Sequence, residues 1–232
     1  MNKIKQMFLL QQELNDATNG EGWERGVTKN GKIIDWKRCC YLECAELIDS
    51  YPWKHWKDID ATPDYENIKI EVVDIWHFIM SQMLQEYKIN DLGDIDALTK
   101  AVESLPNYSR FTQDITTSKR DYYEQIAVVE NLIHILFCDN SIDNLLDSFI
   151  EMAIESNLNL DTLYQLYIGK NILNRFRQDH GYKDGSYIKI WNGDEDNIVM
   201  QQVLDKSIDI LPDELYSKLE EIYLTQITHQ RS

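Results

Sequence analysis

Nine glycines and four prolines in 232 residues leave this chain few places to turn. An all-β chain of that length reverses direction every ~10 residues and needs many more turn formers. The scarcity selects long helices, and the apolar residues recur at helical spacing. Met7, Leu10 and Leu14 form a stripe on a helix over 3–18, closed by Asn19-Gly20 and Gly22. Asp35 is a suitable N-cap for a helix running to Ser50, and Pro52 stops it. Pro63-Asp64 opens a long helix to Tyr87. Residues 88–96 form a polar linker. Further helices are expected near 96–105, 111–138, 143–156, 161–180, 197–207 and 213–229. Asp143 and Asp161 are candidate caps, and Gly181 suits the position just past a helix end. No alternating strand pattern, repeat or low-complexity tract is present. One all-α domain covering 1–232, built as a helical bundle, is expected.

Lys and Arg number 23 and Asp and Glu 40, a net charge of −17. That balance excludes a duplex nucleic-acid binder, which needs a basic footprint. It also repels phosphates, so an anionic substrate requires cations to enter. The four cysteines show no CxxC spacing. Cys40 and Cys44 are helical neighbours and are expected to be reduced core thiols. The N-terminus lacks the apolar run and cleavage site of a signal peptide, and no segment approaches the ~20 apolar residues of a membrane span. The expected location is cytoplasmic, with no membrane partner.

Two acidic pairs carry the chemistry. Glu43 and Glu46 lie three apart on one helix, and Glu71 and Asp74 three apart on the next, so each pair projects from one face. Their settings, CCYLECAELI and IKIEVVDIWHFIM, are apolar. Inward-facing carboxylates repel one another and lose hydration unless a cation lies between them. Hard oxygen donors without thiolate or imidazole point to Mg²⁺, with Mn²⁺ able to substitute. The alternative is two ordinary acidic helix faces. Between the pairs runs YPWKHWKD, where Lys54 and Lys57 can meet phosphate oxygens and Trp53 can pack or stack on a base. A loop plugging the core with tryptophans is the competing account. Later, Lys170, Asn174 and Arg177 fall on one stripe of a helix whose buried side is Leu163, Leu166, Leu173 and Phe176. Arg clamps phosphate, and an Asn amide can pair with a uracil edge. Tyr182, Tyr187 and Trp191 offer stacking planes in the loop that follows.

In this order LLQQELN, ECAELIDSYPWKHWK, EVVDIWHF and GKNILNRFRQDHGYKDGSYIKIWNGDEDN resemble the dimeric dUTPases of the all-α nucleoside triphosphate pyrophosphatase superfamily. The resemblance covers most of the chain, with 88–160 carrying least of it. It implies the superfamily's helical bundle and a homodimer. It assigns Glu43, Glu46, Glu71 and Asp74 to magnesium, with Glu43 as base toward the attacking water. Gln12 and Asn15 match the motif nearest the nucleoside, and His77 and Phe78 the base-pocket motif. Lys170, Asn174, Arg177, Tyr187 and Lys189 match the late motif for base and phosphates. The implied reaction is hydrolysis of dUTP, and of dUDP, to dUMP by a metal-activated water. A triphosphate facing four carboxylates calls for roughly two or three Mg²⁺ ions. Two other classes stand beside this one: a related pyrophosphatase with a different base preference, and a non-catalytic helical interaction module.

Overall fold

A computed structural model describes residues 2–58, 60–115, 117–139, 141–206 and 210–230, the last five as backbone alone. It is all-α: ten helices among the described residues, and one two-stranded hairpin. The chain divides into two compact units, residues 1–164 and 165–232.

In the first unit, α3 (Tyr65–Ile89) packs against α1 (Lys3–Asn19), α2 (Trp36–Asp49) and α7 (Ile142–Glu155). Its sequence explains that position. Val72, Val73, Ile75, Trp76, Ile79, Met80 and Met83 are all buried, apolar on nearly every side of the helix. Trp76 stacks on Phe149 at 4.7 Å and meets Phe8 edge-on at 5.9 Å. Asp35 and Asp64 accept hydrogen bonds from the backbone amides of Arg38 and Asn67, capping α2 and α3 as expected. The buried face of α1 is rotated from the expected stripe: Ile4, Met7, Phe8, Gln11, Asn15 and Asn19 point inward, and Leu10 and Leu14 are only half-buried. Polar side chains occupy the later turns of this face because α3 presents polar partners there.

The expected helix over 111–138 starts only at Tyr122. α4 (Ile95–Glu103) is followed by a single turn, α5 (Tyr108–Phe111), and α6 (Tyr122–Cys138) starts afresh. The intervening TQDITTSKRD is rich in Ser, Thr and Asp, whose side chains compete for backbone hydrogen bonds. Asp121 and Glu124 then form a reciprocal capping box. The Ser118 amide donates to Asn157 Oδ1 at 2.7 Å, and the Ser118 hydroxyl and Arg110 guanidinium donate to buried Glu155 at 2.5 and 2.7 Å, tying this stretch to the end of α7. Two caps also differ from expectation: Ser141 caps α7, and Asn159 accepts from the Thr162 amide at the start of α8, leaving Asp143 and Asp161 inside the first turns.

α8 (Leu160–Asp179) begins in the first unit and continues in the second. There its Leu173 and Phe176 pack with Trp191, with Met200 of α9 (Asp196–Lys206), and with Leu219 and Tyr223 of α10 (Pro212–Gln230). The expected end of the α9 helix at 207 lies outside the described residues. Gly181 holds φ +88° just past α8, as its position suggested. The hairpin pairs β1 (Ile190–Trp191) with β2 (Asp194–Glu195) through Asn192-Gly193, both at positive φ. No helix among the described residues is long and apolar enough to cross a membrane.

Candidate active site

The α2 and α3 helices lie against one another, which brings their acidic faces together. One carboxylate oxygen each from Glu43, Glu46 and Glu71 lies within 4.8 Å of the other two. Glu71 is buried, Glu43 half-buried and Glu46 exposed. Burial lifts the Glu43 carboxyl to about 8, with the charges of Asp74, Glu71 and Glu46 and a hydrogen bond with Glu71 adding to it. Asp74 stands outside the tight triad, yet of the neighbouring charges it acts on Glu43 most strongly. Asn67, which sequence reasoning did not single out, donates through Nδ2 to Glu71 Oε1 at 3.1 Å and to Ser50 Oγ at 2.8 Å. It steers one oxygen of Glu71.

These donors fit a magnesium ion. They are all hard oxygens, they converge from two helices, and the raised Glu43 carboxyl marks carboxylates crowded against one another in a partly buried setting.

Next to it on α1 and α3 is a buried polar circuit. Gln11 Nε2 donates to Ser81 Oγ at 2.9 Å and to Asn15 Oδ1 at 3.2 Å, and Asn15 Nδ2 donates to Ser81 Oγ at 3.0 Å. Ser81 Oγ donates to the His77 carbonyl at 2.8 Å. His77 Nδ1 lies 2.6 Å from Gln11 Oε1; since that oxygen only accepts, Nδ1 carries the proton. Asn15 and His77 are thus brought together, while Gln12 faces outward to Asp16 and Glu24. Gln11 and Ser81 were missed; each lies four residues from a named partner, a helical spacing that offered the clue. Phe78 stacks on Trp36, which meets Trp23 edge-on.

The loop after α2 holds a pocket of about 280 Å³ lined by Tyr51, Lys54, Lys57 and Thr62 among others. Lys54 pairs with Asp49 and lies 5.6 Å from the centre of the Trp53 ring. The Lys54 hydrogen bond holds the Asp49 carboxyl below its ordinary value. Trp53 meets Trp56 edge-on, and Trp56 is exposed.

The late residues form a network within the second unit. Arg177 donates from Nε and Nη2 to the two oxygens of Asp196, at 2.8 and 2.7 Å, and from Nη1 to Asn174 Oδ1 at 3.2 Å. Asp196 is fully buried and also accepts from the Tyr187 hydroxyl at 2.7 Å. Burial alone pushes the Asp196 carboxyl up, but the Arg177 guanidinium and Tyr187 outweigh it and hold it low. Burial and the Asp196 carboxylate push the Tyr187 phenol up. Lys170 is buried and donates to Asn197 Oδ1 at 2.8 Å. Lys189 pairs with Glu195 at 3.1 Å, half-exposed. Asp196 was not anticipated; one acid among the three of GDEDN carries no signal of its partner.

Residues 3–182 match a family described as dUTPase. The chain belongs to the dUTPase family. It is a dUTP diphosphatase, and the all-α nucleoside triphosphate pyrophosphatase type suggested by its motifs is consistent with that family. dUTPases of this kind are generally divalent-metal dependent, and the three carboxylates of α2 and α3 form a cluster that could hold such an ion. No curated protein matches the chain.

Proposed function

We propose that this dUTPase is magnesium-dependent and hydrolyses dUTP, and also dUDP, to dUMP. The observation that carries the reading is the convergence of Glu43, Glu46 and Glu71 in a chain whose family acts on dUTP. These three, with Asp74, would hold magnesium. When bound there, the ion neutralises phosphate oxygens and acidifies water. Glu43 takes the proton of the attacking water. Water adds at the β-phosphorus as the bond to the αβ-bridging oxygen breaks; dUMP leaves, and pyrophosphate is the second product. dUDP has the same bond and gives phosphate instead.

The remaining roles follow the motif resemblance. Gln12, Asn15, His77 and Phe78 bind the nucleoside, and Trp53, Lys54 and Lys57 the phosphates and base. In the second unit Asn174 reads uracil, and Lys170, Arg177, Tyr187 and Lys189 support phosphate and base contacts. Arg177 and Lys170 do so with their charges already engaged by Asp196 and Asn197. A single functional domain over 1–232 is supported by a family match that runs across the boundary between the two units. The active form is a homodimer. Its location is cytoplasmic, in keeping with four free cysteines.

A nucleotide panel tests the substrate. Pyrophosphate release should be fastest from dUTP, with dTTP, dCTP and UTP at least about tenfold poorer in kcat/KM. Equal rates on dUTP and dCTP would sink the uracil reading. Turnover in ¹⁸O-water tests the route: label in pyrophosphate supports attack at the β-phosphorus, and label in dUMP overturns it.

A further inference from the structure

Asp196 is a carboxylate with no exposure, and the reaction just proposed gives it no role. Its partners constrain what it does. The Arg177 side chain is nearly buried and lies side-on to Asp196, engaged through Nε and Nη2. Only the Nη1 corner of the planar fork turns toward the preceding turn of α8, where it reaches Asn174 Oδ1 at 3.2 Å. A guanidinium donates and never accepts, so Asn174 must turn its oxygen to Arg177. That sets the sense of the amide. Asn174 Nδ2, with no partner among the described residues, is the end left for a ligand, and it offers donors only. Asn174 is half-buried, so that end is within reach.

We infer that Asp196 is a specificity-determining residue: through Arg177 it fixes the Asn174 carboxamide as a donor, which reads the 4-keto oxygen of the pyrimidine. This rests on the proposal that Asn174 contacts the base. Uracil carries an acceptor at position 4. Cytosine carries an amino group there, so donor would meet donor and the buried contact would be unmade. Thymine keeps the 4-keto oxygen, so the relay is blind to the difference between dUTP and dTTP. Asp196 touches no substrate; it is a positioning residue.

The test is kcat/KM on dUTP, dCTP and dTTP for the full chain and for Asn174→Ala, Asp196→Asn and Arg177→Lys. Asp196→Asn weakens the grip on Arg177, and the amide becomes free to turn over. Arg177→Lys keeps the charge but replaces the planar fork that spans Asp196 and Asn174 with a single rotating ammonium, and it carries the test if Asp196→Asn fails to fold. The expected result is a loss of at least about tenfold in the dUTP-over-dCTP preference in both, with the dUTP-over-dTTP preference held within about threefold. A merely structural role would lower all three substrates together and leave both preferences in place. Unchanged dUTP-over-dCTP preference in folded Asp196→Asn and Arg177→Lys, with the preference lost in Asn174→Ala, overturns the relay alone. An unchanged preference in Asn174→Ala overturns the base-reading role of Asn174 and the relay with it.

Discussion

Glu43 ties stability to chemistry at a single side chain. Its carboxyl, at about 8 in the folded chain against an ordinary 4.5, favours the protonated form on folding. Between those values the folded chain holds a proton that the unfolded chain has released, so stability without metal falls as pH rises from about 4.5 to about 8. Thermal melts in a chelator should show that slope, and Glu43→Gln should flatten it and raise the melting temperature near neutral pH. A wild-type slope that persists in Glu43→Gln would contradict the assignment. Asp196 and Glu155 act in the opposite sense. Both are held low, with burial opposing and hydrogen bonds from Arg177 to Asp196 and from Ser118 and Arg110 to Glu155 prevailing. Their contribution is present above the unfolded carboxyl value and is lost as pH falls through the folded one. For activity, Glu43→Gln, Glu46→Gln, Glu71→Gln and Asp74→Asn should each lower kcat/KM by about a hundredfold or more while the fold survives, since each removes an oxygen donor from one site. Near-normal rates in two of the four would refute the shared metal role.

Among the elements, α1 and α3 meet through a polar circuit where packing alone would favour apolar contact. Gln11→Leu removes three hydrogen bonds and leaves Ser81, Asn15 and His77 with groups to satisfy. The loss should be about 1–3 kcal/mol in urea unfolding, with a raised KM for dUTP. A stability change under about 0.5 kcal/mol would show that the circuit is not closed in solution. Gly181 is a second element-scale test. At φ +88° a Cβ would lie 2.0 Å from Ser186 Oγ, so Gly181→Ala should cost about 1–2 kcal/mol. These cases also mark how far the sequence can be read. The acidic pairs were legible because each sits at helical spacing in an apolar setting, so burial and charge conflict within one stretch of chain. The break before α6 was not read: Asp121 and Glu124 stand at capping-box spacing, but the helix was expected to begin at 111. The hairpin between β1 and β2 was read only as loop, since two-residue strands are too short to show alternation. Gln11 and Ser81 were legible only as helical neighbours of Asn15 and His77, not in their pairing across 70 residues, and Asp196 was not legible, since its meaning lies in Arg177, 19 residues away on another element.

For the whole molecule, the −17 charge sets the problem that catalysis must solve. A polyanionic substrate approaches an acidic protein in which three carboxylates converge, and the proposed mechanism answers this with cations in both binding and turnover. Light scattering at micromolar concentration should give twice the chain's 27.4 kDa, the mass of a homodimer. A monomer mass would refute the assembly while leaving the chemistry standing. The same account requires the family's reaction to depend on the acidic cluster of α2 and α3. Pyrophosphate release from dUTP by the purified full chain, followed with Mg²⁺ and then with the ion chelated, tests this most directly. The account predicts rapid release that stops on chelation, resumes when Mg²⁺ is restored, and is nearly absent in Glu71→Gln under all conditions. Release that continues at an undiminished rate without a divalent ion, or in Glu71→Gln, would contradict it.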